Sequence, residues 1–185
     1  SKTTPFINKI GILPISLWQL LSYNSNYFNC QFYPSCSNYG ADAIGDKGII
    51  KGSIMASERI TRCNPFAYSY HVELNSPFNE KDSRLIDPVK LKSRSLSNRS
   101  PLVAGILSAI IPGAGRAYSG RTMDGLMGFW TFYLTGSSAY FSIKEKRTIA
   151  GPFFLTVSAI VYLGEVYGAW RSVKYYQEVK TAEAN

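Results

Sequence analysis

Apolar residues in this chain fall into blocks with different spacing. Residues 6 to 21, FINKIGILPISLWQLL, are largely apolar, carry Lys9 and Gln19, and are interrupted by Pro14. At about 16 residues the run falls short of the roughly 20 that span a bilayer. It predicts a helix lying in the membrane interface, with Trp18 at headgroup level and Lys9 on the wet side. The competing reading is an N-terminal core helix kinked at Pro14.

Beyond residue 30 the period becomes that of short helices. Ser35 or Ser37 is placed to cap a helix carrying Tyr39, Ala43 and Ile44, which Gly45 and Gly48 should end. Residues 49 to 62, IIKGSIMASERITR, predict a second helix with Ile50, Ile54 and Met55 on one face and Glu58 paired to Arg62 one turn on. Pro65 stops it. Such a helix-turn-helix unit is too small for a large core and should lean on a cysteine cross-link, a membrane or a partner. Residues 71 to 100 are polar and read as a linker.

The second half reads as membrane-embedded. LVAGILSAII, residues 102 to 111, is apolar but too short to span, and PGAG breaks it. Residues 125 to 143 carry no charge, KEKR forms a basic loop, and residues 148 to 170 carry Glu165 alone near the end of the run. Two spans joined by a tight loop make an antiparallel hairpin. Gly125, Gly128, Gly136, Ser137, Ser138, Gly151, Ser158 and Gly164 supply the small residues at which helices approach closely. A soluble core with two buried helices is the alternative. The fold class expected is therefore all-α, a small helical domain plus a transmembrane helical hairpin. Its divisions are residues 1–90 for the membrane-associated domain, 91–100 for a basic polar linker and 101–180 for the membrane domain.

Charge sharpens this picture. Of the net +8, residues 1 to 90 contribute +2 and residues 91 to 185 contribute +6, placed at the ends of uncharged runs. That is how membrane proteins place charge, so the basic balance does not argue for nucleic acid. Arg116, Arg121, Lys144, Lys146, Arg147, Arg171 and Lys174 lie at both ends and in the loop, which leaves orientation open. The chain starts at Ser1 rather than Met, as removal of an initiator, a signal peptide or a tag would leave it. Gly113 and Gly115 lack the Lys-Ser/Thr and the preceding strand of a phosphate loop. Asp124 and Glu165 sit near predicted span ends, where a solvated or Arg-paired carboxylate is expected rather than an ion path.

Cys30, Cys36 and Cys63 are the chain's cysteines and His71 its one histidine. Zinc would want a fourth ligand, which His71 could supply as Cys₃His. A Cys30–Cys36 or Cys36–Cys63 disulfide suits an oxidising compartment. Free buried cysteines would simply pack. A catalytic thiol needs a base, and His71 is the available one. The structural role is the one adopted: the cysteines fix a loop-helix junction, with no metal and no cofactor assigned. Lys47, Lys51, Arg59 and Arg62 give the second helix a basic side. It is either a solvated face or a contact for anionic lipid or a partner, and weak aromatic interleaving gives no support for specific RNA readout.

The stretch CQFYPSCSNYGADAIGDKGIIKGSIMASERITRCNPF resembles the YidD family of membrane protein insertion efficiency factors, once labelled a haemolytic domain. The family pattern falls on Cys30, Phe32, Pro34, Ser35, Cys36, Ser37, Tyr39, Ala43, Gly48, Lys51, Gly52, Arg59, Arg62, Cys63, Pro65 and Phe66. The resemblance covers roughly residues 5 to 90. It implies a non-enzymatic accessory factor, held at the bacterial inner membrane by its N-terminal helix beside the Sec translocon or the YidC insertase. The partners implied are membrane lipids, that machinery and nascent membrane proteins. Asp87, Pro88 and Val89 echo the end of the family pattern without its glycine pair, and a two-span hairpin is not typical of members. SPLVAGILSAIIPGAGRAYSGRTMDGLMGF resembles small bacterial two-span membrane modules with a Pro-Gly-x-Gly turn. The alternatives are a docking subunit of a larger export complex and a membrane-perturbing lipid-binding protein. The expected location is integral to the inner membrane, on an unassigned side.

Overall fold

The computed structural model describes residues 5–22, 30–89 and 99–175. Helix α1, Phe6–Ser22, runs unbroken through Pro14. Its inward side mixes the small or polar Asn8, Gly11 and Gln19 with Ile12 and Ile15. Ile15 lies against Gly40, and a Cβ on Gly11 would stand 2.6 Å from Ile49. Gln19 Nε2 donates to Asn38 Oδ1 at 2.8 Å, and buried Asn8 donates to the Gly45 carbonyl at 3.5 Å. Phe6, Ile10, Leu13, Leu17, Leu20 and Leu21 all face outward and are more than half exposed. The larger apolar face of α1 is thus left outward, whereas a helix of a water-soluble fold packs its apolar stripe inward.

Helix α2, Cys36–Lys47, is capped by Ser35, whose Oγ accepts from the Asn38 N–H at 3.4 Å. Gly48, at φ +85°, ends α2 and leads directly into α3, Ile49–Arg62. The two helices touch at the backbone, because a Cβ on Gly52 would stand 2.5 Å from Ile44 Cα. Met55 is buried with Tyr39 and Ala43, whereas Ile50 is 78% exposed and does not share the face assigned to it. Gly45 lies inside α2, so Gly48 alone ends it.

Much of the expected linker is folded. Helix α4, Ala67–Glu73, follows α3, and after a turn strand β2, Leu85–Ile86, pairs in parallel with β1, Phe32–Tyr33. Phe32, Ala67 and Leu85 bury together, with Cys30, Cys36 and Phe78 packed against them. The polar residues that suggested a linker close local turns instead: Asn79 Nδ2 donates to Asp82 Oδ1 at 2.7 Å, and Arg84 pairs with Asp82. A two-residue strand is too short to show a period of two. Of the linker proper, residues 91–98 lie outside the described residues.

The C-terminal half begins with α5, Pro101–Ile110, and α6, Ala114–Tyr118, and ends with α7, Thr122–Lys144, and α8, Ala150–Tyr175. Gly113 makes the turn before α6 at φ +89°, and a Cβ there would meet the Gly125 carbonyl at 2.1 Å. Helices α7 and α8 form the expected antiparallel hairpin. Gly128 lies against Glu165, Gly136 against Ser158, and Gly151 against Ile143. Residues 150–174 are long and apolar enough to cross a membrane. The expectation of two such spans is therefore met by one helix. In α7 the hydroxyls of Thr131, Thr135 and Ser138 lower the apolarity while donating to carbonyls one turn back, at 2.8, 2.9 and 2.8 Å. Ala104, Ala169 and Val173 seat α5 on α8.

The two halves are packed together rather than tethered. Gly164 and Gly168 of α8 bring its backbone against Ser57 and Glu58 of α3.

Candidate functional site

The junction of the two halves is built from charge. Glu58 of α3 accepts from Arg62 through both carboxylate oxygens, the Nη2 contact at 3.1 Å, which realises the predicted i,i+4 pair. Arg62 Nη2 also donates to Asp87 Oδ2 at 2.7 Å. From α8, Arg171 Nη1 donates to the Tyr39 hydroxyl at 2.7 Å and to Glu58 Oε2 at 3.1 Å, and its Nη2 reaches Asp87 Oδ1 at 3.5 Å. Arg116 of α6 grips Glu165 of α8 with Nε at 3.0 Å and Nη2 at 3.2 Å, and its Nη1 lies 3.7 Å from Glu58. All six of these charged residues are at most 3% exposed.

Burying such charges costs several kcal/mol per ion unless partners and hydrogen bonds replace water. Here each carboxylate meets at least one guanidinium, and Glu58 meets three. Burial alone would raise the Glu58 and Asp87 carboxyls. For Glu58 the Arg62, Arg171 and Arg116 guanidiniums outweigh it, for Asp87 those of Arg62, Arg171 and Arg59, and both are held below the usual carboxylate range. Burial pushes the Tyr39 phenol up, so it stays neutral as the acceptor of Arg171.

Arg59 and Arg62 are expected on a side that is either solvated or in contact with lipid or a partner. The structure buries both. Arg59 lies over the rings of Tyr39, at 4.3 Å, and Phe32, at 4.9 Å, donates to the Pro34 carbonyl at 2.8 Å and stands 3.6 Å from Asp87. These rings desolvate the guanidinium while their faces attract it, which a solvated helix face could not do. The basic surface is thereby reduced to Lys47 and Lys51, both exposed. Trp18 is also exposed, at 53%, on the outward side of α1.

The motif residues assemble around this charge. Phe32 and Tyr39 wall Arg59, Pro34 supplies its carbonyl, and Ser35 caps α2 with Ser37 Oγ 3.2 Å from Ser35 Oγ. Pro65 lies exposed in the turn after α3. Cys30, Cys36 and Cys63 are free thiols gathered within 4.8 Å of one another. The three cysteines therefore meet at one junction. His71 does not join them. It lies buried in α4 with Nε2 2.8 Å from the Pro77 carbonyl and its ring edge-on to Phe78, rather than in a linker.

The sequence did not bring Asp87, Arg116 and Arg171 to this site; Glu165, expected to be solvated or Arg-paired, is paired with Arg116 and fully buried. One signal was present. A lone carboxylate in a long apolar run requires a cation, and Arg116 and Arg171 are the arginines flanking the hairpin. Asp124, the other carboxylate, is also paired, to Arg121 at 2.7 Å, and accepts from Asn64 at 2.7 Å.

Residues 7–71 match the YidD family, described as "Putative membrane protein insertion efficiency factor". Proteins of that name share 48% identity over 61 residues in Oleidesulfovibrio alaskensis, covering 32% of this chain and 69% of that protein. The similarity is 42% over 60 residues in Thermoanaerobacter pseudethanolicus, covering 32% and 87%. The chain belongs to the YidD family. A Legionella pneumophila member is 38% identical over 66 residues, covering 36% of this chain and 82% of its own. No solved structure matches the chain. The family's name describes an insertion factor rather than a catalyst. Its matched segment contains Tyr39, Glu58, Arg59 and Arg62, whereas Asp87, Arg116, Glu165 and Arg171 lie beyond residue 71. The YidD domain is thus clamped by Arg116, Glu165 and Arg171 of the C-terminal half.

Proposed function

We propose that this protein assists insertion of proteins into the bacterial inner membrane without catalysing a reaction, working beside a Sec translocon or a YidC-type insertase. The observation that carries this reading is the unpartnered apolar face of α1: Asn8, Gly11, Ile15 and Gln19 face the rest of the YidD domain while Leu13, Leu17 and Trp18 face outward. A helix with that polarity gains free energy by lying in a bilayer surface.

The hairpin adds an integral anchor. From Ala150 to Gly164, α8 carries no charge for 15 residues, about 22 Å at 1.5 Å per residue. The YidD domain meets α8 from Gly164 onward. A hairpin inserted up to that point is shorter than the roughly 30 Å hydrocarbon core, so the bilayer thins around it or the tip stays shallow. A locally thinned leaflet lowers the cost of moving a polar segment of a nascent chain. Exposed Lys47 and Lys51 hold the YidD domain to anionic headgroups, at about 1 kcal/mol for each basic residue near the surface.

The test is pulse-labelled insertion of an inner-membrane substrate, read by protease protection, in cells lacking the protein. Slower insertion is expected, restored by the wild-type chain and not by the double variant Leu13→Glu, Leu17→Glu. Unchanged insertion kinetics in the deletion strain would overturn the proposal.

A further inference from the structure

The three thiols form a set that the insertion role does not use. Cys30 precedes β1, Cys36 is the first residue of α2, and Cys63 directly follows α3. Each position is fixed by its own element. The β1–β2 pairing holds the strand after Cys30, the Ser35 cap holds the start of α2, and the Cys63 N–H donates to the Ile60 carbonyl at 3.0 Å. The sulfurs converge because these rigid elements meet, not because the chain loops locally.

We propose that Cys30, Cys36 and Cys63 bind one thiophilic d¹⁰ metal ion, zinc(II) or copper(I), through their three Sγ atoms.

The spacing carries the argument. Three sulfurs about 2.3 Å from one ion lie about 3.8–4.0 Å from each other. In the structure Cys30 and Cys36 Sγ are 3.5 Å apart, and all three sulfurs lie within 4.8 Å. A single ion therefore fits with shifts of less than an ångström. A disulfide would draw two sulfurs to about 2.05 Å and leave the third without a purpose. Thiolate is the soft ligand that selects copper(I) and zinc among common ions.

The surroundings suit sulfur that carries negative charge. The Cys36 backbone N–H donates to Cys30 Sγ at 3.3 Å. Gln31 Nε2 lies 3.6 Å from Cys63 Sγ and is itself anchored on the Asn64 carbonyl at 3.0 Å. Such outer donors orient ligands and tune metal sites. The cysteine loop is itself fixed from the junction, where buried Arg59 donates to the Pro34 carbonyl at 2.8 Å. Cys63 is exposed, so solvent can complete a tetrahedral zinc site, while copper(I) is satisfied by three sulfurs. The ion would staple β1, α2 and α3, the reinforcement a domain this small requires.

The test uses the full chain, solubilised in mild detergent and purified under oxygen-free reducing conditions. Zinc(II) alone and copper(I) alone are titrated, with elemental analysis and alkylation of the thiols as readouts. One equivalent of metal per chain is expected, with all three thiols shielded until a chelator is added. Elemental analysis of protein isolated from cells without added metal identifies the native ion. Cys63→Ser alters an exposed side chain, keeps the helical circular dichroism and binds the metal at least about tenfold more weakly. A well-folded wild-type chain that takes up no stoichiometric metal would overturn the proposal. So would a Cys30–Cys36 disulfide in protein isolated from cells with thiols blocked at lysis.

Discussion

Arg171 of α8 reaches across 132 residues of sequence to the hydroxyl of Tyr39, at 2.7 Å, and in the same arc donates to Glu58 at 3.1 Å. Through this one guanidinium a hairpin outside the family match holds the first helix of the cysteine motif and the second at once. The YidD domain and the α7–α8 hairpin should therefore behave as one unit in unfolding.

Removing that guanidinium tests the coupling. Arg171→Met leaves Glu58 and Asp87 short of a buried cation, and losing one partner of a buried pair costs about 3–5 kcal/mol. Denaturant unfolding in detergent should show that loss. Arg171→Lys, which keeps the charge but not the forked geometry, should lose less.

Backbone proximity makes a second prediction. A Cβ on Gly168 would stand 2.2 Å from Arg116 Nη2 and 2.7 Å from Glu58 Cγ, so Gly168→Ala pushes α8 away from the ion cluster. Overpacking of this kind costs about 1–3 kcal/mol. Gly136→Ala places its Cβ 3.7 Å from Ser158 Oγ, an ordinary contact, and should change stability little. Thermal unfolding of the two variants side by side separates crowding at the junction from helix propensity.

Acid stability follows from Asp87 and Glu58. Their folded carboxyls lie below the ordinary value of about 4, so the unfolded chain takes up protons first as pH falls. The stability they contribute is fully present above pH ~4 to 5 and is lost as pH drops through the folded values. Unfolding free energy should be flat in this contribution near neutrality and decline below pH ~4. Asp87→Asn should be less stable at neutral pH and show a shallower acid decline.

Charge reversal distinguishes surface from interior on a single helix. Lys51→Glu should leave folding intact and weaken cosedimentation with anionic vesicles, by roughly thirtyfold for about 1 kcal/mol lost and as much repulsion gained. Arg59→Glu, eight residues on, should prevent accumulation of folded protein, because it buries a carboxylate against Asp87 between two rings.

What the sequence determined by itself is what short spacing encodes. Ser35 before α2, Gly48 between α2 and α3, and the i,i+4 pair of Glu58 and Arg62 all depend on neighbours within a turn or two. The all-α class and the family motif followed from these. Tertiary structure alone decided that Arg59 and Arg62 point inward, that Asp87 belongs to the junction rather than to a linker, and that Arg116 and Arg171 lock the hairpin onto the YidD domain. The physical reason is that a charge carries no period: Arg62 reads the same on a solvated face and in a buried cluster. Its environment is set by Asp87, 25 residues away, and by a hairpin whose helices approach only where glycine lets them.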